Sequence, residues 1–315
     1  MTDMKTDRRD VLAGLTAAAG LTLSGRALAK DNDLSFLVVG DWGRNGTEHQ
    51  ADVARQMDRA ASETNSRFTV SVGDNFYDNG VQSVDDPLWK TSFEDIYTGP
   101  NLQTPWYVAL GNHDYRGVPQ AQLDYARTSP RWKMPSRYYK VSGQDHGFGA
   151  ADVFVIDTSP LVHAYANKPG KIGENVKSQD SAAQLAWLDR ELGASTARWK
   201  IVFGHHTLYS GGSGHGDTPE MIERVLPILQ AHKVPVYING HDHDLQHIRR
   251  SGIDIICSGA GSEVRPVKAV EGTKFCAAQS GFTTVTVSED ALTFAFRNYR
   301  GETLYRSSVS APLNA

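Results

Sequence analysis

The sequence predicts an α/β fold of the α+β kind, in which two mixed β-sheets pack as a sandwich and helices flank them. From Leu34 onward, short apolar runs typical of buried strands alternate with amphipathic stretches typical of helices. Residues 283–287, 292–296 and 303–309 differ, because their alternation and short polar turns indicate consecutive antiparallel strands. The sequence contains no long linker or low-complexity tract, so we expect one domain over residues 30–315.

Helices are predicted where apolar residues recur at helical spacing. The stretches are residues 51–61, 88–97, 121–126, 181–192 and 219–232. Asp180 or Ser181 is expected to cap the fourth of these, and Pro227 to kink the last. Residues 159–179 are polar and lack periodicity, so we predict a mobile loop there. It is either a surface insertion, which we favour, or a loop that partly covers the functional site.

Composition and charge exclude some classes of function. Hydrophobic residues make up 40% of the chain and charged residues 22%, as in ordinary globular proteins. The net charge of −4 gives no basic field for a nucleic-acid backbone, so no nucleic-acid partner is expected. The two cysteines, Cys257 and Cys276, could form a disulfide in an oxidising compartment. Cys257 lies in an apolar run typical of a buried free thiol, and the sequence does not decide between these possibilities.

The first 29 residues have the pattern of an export signal. Arg8 and Arg9 precede an apolar stretch over residues 11–23, and a small-x-small cleavage pattern ends at Ala29. The paired arginines indicate a bacterial twin-arginine signal, so we expect residues 1–29 to be removed on export by that machinery. An amphipathic helix or a membrane anchor is the alternative, but the apolar stretch is short for a membrane span. The expected location is periplasmic or secreted, with no membrane attachment after cleavage.

Five apolar runs end in glycine and are followed at once by a residue that can bind a metal. The residues are Asp41 after LVVG, Asp74 after TVSVG, Asn112 and His113 after YVALG, His205 and His206 after IVFG, and His241 and His243 in YINGHDH. We expect each glycine to let the backbone turn sharply at the end of a buried strand. Because ligands bind at the carboxyl ends of strands in α/β sheets, these side chains are predicted to meet at one edge.

The types of side chain indicate a metal centre with two ions. Two carboxylates, an amide and three imidazoles are too many ligands for one ion, and the absence of sulfur favours iron, manganese or zinc. Tyr77 follows Asp74 by three residues and can return to the same ion. A phenolate ligand requires a strongly Lewis-acidic ion, which favours Fe(III) over magnesium or calcium. Turn capping by Asp and Asn, and hydrogen bonding of core histidines, is the structural alternative.

The five motifs GDWG, GDNFY, GNHD, FGHH and GHDH, in this order, resemble the signature of the purple acid phosphatases among the calcineurin-like metallophosphoesterases. The sequences GDNFYDNGVQSV, SFEDIY and PWYVALGNHD are similar to the mammalian-type, tartrate-resistant subgroup. The resemblance implies the calcineurin-like sandwich fold. It also implies that four residues hold Fe(III), namely Asp41, Asp74, Tyr77 and His243. Asp74 would bridge to a second, divalent ion held by Asn112, His205 and His241.

The resemblance further implies an acid phosphatase that hydrolyses phosphate monoesters by attack of a metal-bound hydroxide. His113 and His215 would orient the ester and protonate the leaving oxygen. His206 departs from the family, where tyrosine is common at this position, and we assign it no catalytic role. Small phosphate monoesters, phosphoproteins and nucleotides are the candidate substrates. The second metal could be Fe(II), Zn(II) or Mn(II), and the sequence identifies neither it nor the oligomeric state.

Three other functions are compatible with the same residues. The site could serve a phosphodiesterase or nucleotidase, because a dimetal centre suits both classes of ester. An iron centre could also generate reactive oxygen species, as the mammalian-type family is thought to do. A non-catalytic phosphate- or metal-binding protein is the third alternative, although no motif is degraded. Asp157 ends a strand without a preceding glycine, so we predict a structural role for it.

Overall fold

The computed structural model describes residues 33–312. The predicted export signal over residues 1–29 lies outside the described residues. In chain order the strands are β1 Leu34–Val39, β2 Phe68–Ser71, β3 Trp106–Val108, β4 Trp132–Lys133, β5 Tyr139–Ser142, β6 Ala151–Val155, β7 Trp199–Phe203, β8 Val236–Asn239, β9 Leu245–Arg250, β10 Ile253–Ser258, β11 Thr273–Ala277, β12 Gly281–Val287, β13 Ala291–Asn298 and β14 Thr303–Ser310.

The strands form two sheets of seven strands each, which confirms the predicted sandwich. The first sheet has the order β14-β13-β12-β1-β2-β3-β4, and the second has the order β11-β9-β10-β8-β7-β6-β5. Strands β1 to β4 are parallel to one another, whereas β12, β13 and β14 form the predicted antiparallel series, which joins β1 through an antiparallel pair with β12. In the second sheet, β6, β7, β8 and β10 are parallel. The carboxyl ends of the central strands in each sheet therefore lie at one edge.

The α-helices are α1 Gln50–Thr64, α2 Pro119–Tyr125, α3 His163–Ala166, α4 Lys171–Lys177, α5 Ser181–Ala194, α6 Pro219–Arg224 and α7 Leu226–Ala231. Asp180 caps α5, because its carboxylate accepts the backbone N–H of Ala183 at 2.9 Å. The predicted helix over residues 219–232 is divided into α6 and α7 just before Pro227. The stretch predicted as a helix over residues 88–97 contains a short π-helical segment, Trp89–Glu94.

The hydrophobic core occupies the space between the sheets and the space beneath the helices. Phe36 on β1 packs edge-on against Phe203 on β7, with ring centroids 6.0 Å apart, so the two sheets meet face to face. A second cluster joins Leu188 of α5 and Leu229 of α7 to Val202 of β7. Apolar burial on both faces explains why the parallel strands have continuous apolar sequences.

An aromatic cluster supports the loop that follows β1. Trp42 is fully buried and packs at ring-centroid distances of 5.4 Å from Phe76 and 6.1 Å from Trp106. Its indole N–H donates to the Ser71 hydroxyl at 2.8 Å. The residue before Trp42 is Asp41, so this packing fixes the backbone from which a predicted ligand extends.

The segment over residues 159–179 differs from the predicted mobile loop. It contains a 3₁₀ turn, Ser159–Leu161, followed by the short helices α3 and α4. Ile172 and Val176 of α4 are buried in the main core. Their spacing of four residues is helical, but the intervening polar residues and the two prolines concealed the pattern. The expectation of a loop without secondary structure was therefore wrong.

Candidate metal centre

The five glycine junctions meet at the edge where both sheets end. Three of them follow β1, β2 and β3 in the first sheet, and two follow β7 and β8 in the second. Around the Tyr77 hydroxyl lie Asp41 Oδ1 and Asp74 Oδ2, each at 3.1 Å, and His243 Nε2 at 3.0 Å. These four buried side chains are the set that the sequence predicts for Fe(III).

A second group of side chains lies around His205. Its Nε2 atom is 3.3 Å from Asn112 Oδ1 and 3.1 Å from His241 Nδ1. Asp74 Oδ2 lies 3.5 Å from the same nitrogen. The carboxylate of Asp74 therefore faces both groups, which is the position that a bridging ligand requires.

The chemistry of the donor atoms fits bound cations. His205 Nδ1 is 2.9 Å from the carbonyl oxygen of Val72, so in the neutral ring this nitrogen carries the proton and Nε2 presents its lone pair. The Nε2 lone pair therefore faces the carbonyl oxygen of Asn112 and a nitrogen of His241. Buried lone pairs that converge in this way are stabilised by a cation and destabilise one another without it. The residues present thus fit a metal centre.

The electrostatics of the buried carboxylates lead to the same conclusion. Burial raises the pKa of Asp41, with the charge of Asp74 acting in the same direction and His205 opposing it. Burial also raises the pKa of Tyr77, and the carboxylates of Asp41 and Asp74 add to that effect. Burial alone would lower the pKa of His205, but the Asp74 carboxylate raises it to about 9. The cluster therefore attracts positive charge, either as protons or as metal ions.

The backbone at these junctions differs from the expectation that glycine makes the turn. Asp41, Asp74 and His241 themselves have positive φ angles of 59°, 50° and 74°. Non-glycine residues rarely adopt this left-handed conformation, and such residues concentrate at functional sites. Among the five junction glycines, Gly73 alone has a positive φ angle, 96°, and the other four instead make room. A Cβ atom on Gly111 would lie 2.2 Å from Asp74 Oδ1, and one on Gly240 would lie 2.4 Å from Asp41 Oδ2.

His113 and His215 flank the centre on different sides. The His113 ring uses Nδ1 to contact the carbonyl oxygen of Asp78 at 2.6 Å, and its Nε2 lies 3.9 Å from Asp74 Oδ2. Burial lowers the pKa of His113. His215 stacks on His241 with ring centroids 3.8 Å apart, and its Nε2 is 3.4 Å from Arg265 Nη1. Both rings thus border the donor cluster.

His206 is adjacent to the centre, but its ring nitrogens already have partners. Nδ1 lies 2.8 Å from the Thr158 hydroxyl, and Nε2 lies 2.9 Å from the Tyr165 hydroxyl. His206 is close enough to His205 and His241 to form a possible ligand group. Because both nitrogens are engaged, we assign His206 to the support of the site. Tyr165 comes from α3, so the segment over residues 159–179 packs against the centre.

Three further residues at the centre were not predicted from the sequence. The Arg44 guanidinium lies over the Tyr77 ring, 3.9 Å from its centroid. Asp242 accepts the backbone N–H of His215 at 3.0 Å. Arg265 contacts His215 as described above. Asp242 could have been found from the sequence, because it lies between two predicted ligands in GHDH. No sequence pattern marks Arg44 or Arg265.

The cysteines and Asp157 occupy structural positions. Cys257 and Cys276 are free, with Cys257 buried, so the possible disulfide does not form in this structure. Asp157 is buried and accepts a hydrogen bond from the Tyr115 hydroxyl. Within residues 33–312, no helix has the length and apolar character needed to cross a membrane.

Comparison with known proteins places this site in a family of metal-dependent phosphoesterases. Residues 34–245 match the family model of the calcineurin-like phosphoesterases. Purple acid phosphatase 4 of Arabidopsis thaliana is 41% identical over 296 residues, which cover 90% of this chain and 86% of the relative. Tartrate-resistant acid phosphatase type 5 of Homo sapiens is 30% identical over 321 residues, covering 95% and 98% of the two chains. The chain belongs to the purple acid phosphatases.

Solved structures agree on the fold. GAP50, described as the anchor in the inner membrane complex of Plasmodium, superposes with a TM-score of 0.77 at 27% identity, covering 89% of this chain and 90% of the other. A purple acid phosphatase from yellow lupin seeds superposes with a TM-score of 0.66 at 14% identity, covering 89% of this chain and 54% of the other. Membership of the purple acid phosphatase family implies a dinuclear metal centre that contains iron.

Proposed function

We propose that this protein is an acid phosphatase that hydrolyses phosphate monoesters at a dinuclear centre of Fe(III) and a divalent ion. The observation that carries the proposal is the position of Asp74, whose Oδ2 lies 3.1 Å from the Tyr77 hydroxyl and 3.5 Å from His205 Nε2. One carboxylate thus joins an oxygen-rich group of donors to a nitrogen-rich group. The family membership of the chain supports the same function.

The proposed ligands divide into two sets. Asp41, Asp74, Tyr77 and His243 would hold Fe(III), and Asp74, Asn112, His205 and His241 would hold the divalent ion, which is Fe(II), Zn(II) or Mn(II). When bound, two such ions polarise a phosphate ester and supply a nucleophile in acid solution. Three of the four Fe(III) donors are anionic in that state, which matches the higher charge of this ion.

His113 and His215 would act on the ester itself. The contact between His113 Nδ1 and the Asp78 carbonyl oxygen fixes the ring, so that Nε2 faces the centre and can exchange a proton with the leaving oxygen. The stacking of His215 on His241 holds the second imidazole over the other side of the centre. The two rings would therefore orient the ester between them and protonate the departing alkoxide.

The test compares the turnover of 4-nitrophenyl phosphate with that of bis(4-nitrophenyl) phosphate by the metal-loaded protein. A monoesterase cleaves the first substrate faster, and His113→Ala lowers kcat on it by about 10²–10⁴-fold, the range for loss of a general acid. Faster cleavage of the diester would instead establish a phosphodiesterase. Retention of peroxide-dependent oxidation by the His113→Ala protein would support the redox alternative. Stoichiometric metal without turnover would indicate a non-catalytic role, such as the anchoring described for GAP50.

The export of this protein is a separate proposal. We propose that residues 1–29 are a twin-arginine signal, removed to leave one metallophosphoesterase domain over residues 30–315 in the periplasm or outside the cell. The support is the Arg8-Arg9 pair before an apolar stretch. Mass spectrometry of the exported protein should find an N-terminus at residue 30. Replacement of both arginines by lysine should retain the full-length chain in the cytoplasm.

A further inference from the structure

A cavity of about 360 Å³ lies beside the metal centre and is lined by three cationic side chains. Arg116, Lys168 and Lys171 contribute the charges, and Asn79 adds a polar amide. The protein as a whole has a net charge of −4, so three cations around one small cavity are a local feature. Such a concentration of positive charge attracts anions.

The three cations have no carboxylate partner among residues 33–312. No Asp or Glu oxygen in that range lies within 4.0 Å of the charged nitrogens of Arg116, Lys168 or Lys171. Lys171 instead hydrogen-bonds to the neutral amide of Gln82, and Lys168 Nζ lies 4.7 Å from the centroid of the Tyr165 ring. The positive charge of the cavity is therefore available to a ligand.

The acidic side chain nearest in sequence is already engaged elsewhere. Asp78 precedes Asn79, but its carboxylate points towards Arg44 at 3.7 Å. The Asp78 carboxylate is therefore not paired with the cations of the cavity.

The residues that line the cavity lie in chain segments that also form or support the proposed centre. Asn79 follows the proposed ligand Tyr77 by two residues. Arg116 lies in the turn that begins at His113, since its N–H donates to the His113 carbonyl oxygen at 3.1 Å. Lys168 packs on Tyr165, whose hydroxyl contacts His206 beside the proposed ligands. The cavity is therefore formed by segments that also contribute residues to the centre or support it.

We propose that this cavity is a second anion subsite, and that the preferred substrates are small organic esters that carry a second phosphate group. This inference rests on the proposed phosphatase function. One phosphate binds at the metal centre while the second accepts hydrogen bonds from the guanidinium of Arg116 and the two ammonium groups. Because the subsite contacts a part of the substrate that does not react, it lowers KM more than it changes kcat.

The test uses fructose 1,6-bisphosphate and fructose 6-phosphate as a matched pair of substrates. The metal-loaded enzyme should show a kcat/KM at least about 10-fold higher for the bisphosphate, with most of the difference in KM. The combined variant Arg116→Gln, Lys168→Gln and Lys171→Gln should reduce that ratio to the statistical factor of about 2. Added salt should reduce it in the wild type as well, because exposed charges are screened.

Lys177→Gln is the matched control, because Lys177 is an exposed lysine on the same helix that does not line the cavity. It should leave the ratio unchanged. An unaltered ratio in the combined variant, or an equal loss in Lys177→Gln, would overturn the proposal. If the combined variant only weakens inhibition by inorganic phosphate, the subsite serves free phosphate and the proposal is also overturned.

Binding measurements separate this inference from the phosphatase function. Calorimetric titration of the metal-loaded His113→Ala protein needs no turnover. Tighter binding of fructose 1,6-bisphosphate than of fructose 6-phosphate, lost in the combined variant, would support the subsite even if the wild type hydrolysed neither. Equal affinities for the two sugars would refute the subsite and leave the proposed monoesterase activity intact.

Discussion

The backbone N–H of His215 donates to Asp242 Oδ1 at 3.0 Å, across 27 residues of sequence. The other carboxylate oxygen of Asp242 accepts the N–H of Gly216 at 3.1 Å and the hydroxyl of Ser210. Asp242 itself lies between His241 and His243 in the sequence. A single carboxylate therefore connects the loop that carries His215 to the strand end that supplies two of the proposed ligands.

Replacing Asp242 with asparagine should reduce catalysis while both metals stay bound. The amide group has only one acceptor atom, so it cannot accept from His215 on one side and from Ser210 and Gly216 on the other, and the loop loses its alignment with the centre. We expect kcat on 4-nitrophenyl phosphate to fall by about 10–100-fold, as for other supporting residues around metal sites. Kinetics and metal analysis of the same sample check this. Loss of metal in proportion to activity would show that Asp242 acts on the ligands and not on His215.

Gly111→Ala should disable the centre, because the new Cβ would lie 2.2 Å from Asp74 Oδ1. The Asp74 carboxylate, the proposed bridging ligand, would have to move, and we expect the metal content and the activity to fall together. Elemental analysis of the purified variant measures the first. Gly193→Ala is the control, since its Cβ lies 3.2 Å from a ring carbon of His232 at the protein surface. Full metal content in Gly111→Ala would contradict the geometry.

Tyr165→Phe should destabilise the protein by about 1–3 kcal/mol, because the buried His206 Nε2 would lose its hydrogen-bond partner. Urea unfolding of the variant and the wild type gives this difference. The result tests whether residues 159–179 pack against the centre. Tyr138→Phe is a suitable control, because Tyr138, like Tyr165, packs at a tilted angle against a neighbouring ring but is less buried. Equal stability of Tyr165→Phe and the wild type would instead favour the mobile loop that the sequence predicts over residues 159–179.

Asp157 should make the stability of the fold depend on pH. Burial raises the pKa of this carboxyl to about 6, although Arg137 and the Tyr115 hydroxyl oppose the shift. The folded protein therefore binds the proton more tightly than the unfolded chain, whose Asp pKa is about 3.9. The stability that protonation provides is complete below that value and is lost as the pH rises through about 6.

The corresponding variant is Asp157→Asn, which remains neutral at every pH. Between about pH 4 and pH 7, the wild type should lose on the order of 2–3 kcal/mol relative to this variant. Urea unfolding of both proteins at the two pH values gives the difference. Effects of pH on the metal centre are common to both proteins, so they cancel in the difference between the two free energies of unfolding. A difference that stays constant with pH would show that Asp157 is not protonated in the fold.

The sequence was sufficient for the architecture and for locating the candidate donor residues, whose side chains the structure brings together. Strand ends are marked by local apolar runs and glycines, so the junctions at Asp41, Asp74 and Asn112 could be located without coordinates. Tyr77 has no glycine before it, and its inclusion depended on the motif GDNFY. The observed cluster around its hydroxyl fits that assignment.

Contacts between residues that are far apart in the chain could not be predicted from the sequence. Tyr165 lies 41 residues from His206, and Arg265 lies 50 residues from His215. Neither residue has a local pattern, because tertiary packing alone brings the partners together. The positive φ angles of Asp41 and His241 were also missed, since the glycine beside each of them was expected to adopt that conformation.

Metal analysis combined with a visible absorption spectrum tests the central claim most directly. The purified protein should contain iron together with a second metal and should be coloured by charge transfer from the Tyr77 phenolate to Fe(III). Tyr77→Phe should remove the visible band, because the phenol oxygen at the centre of the donor group is lost. A colourless wild-type protein that contains no iron and is fully active would contradict the account.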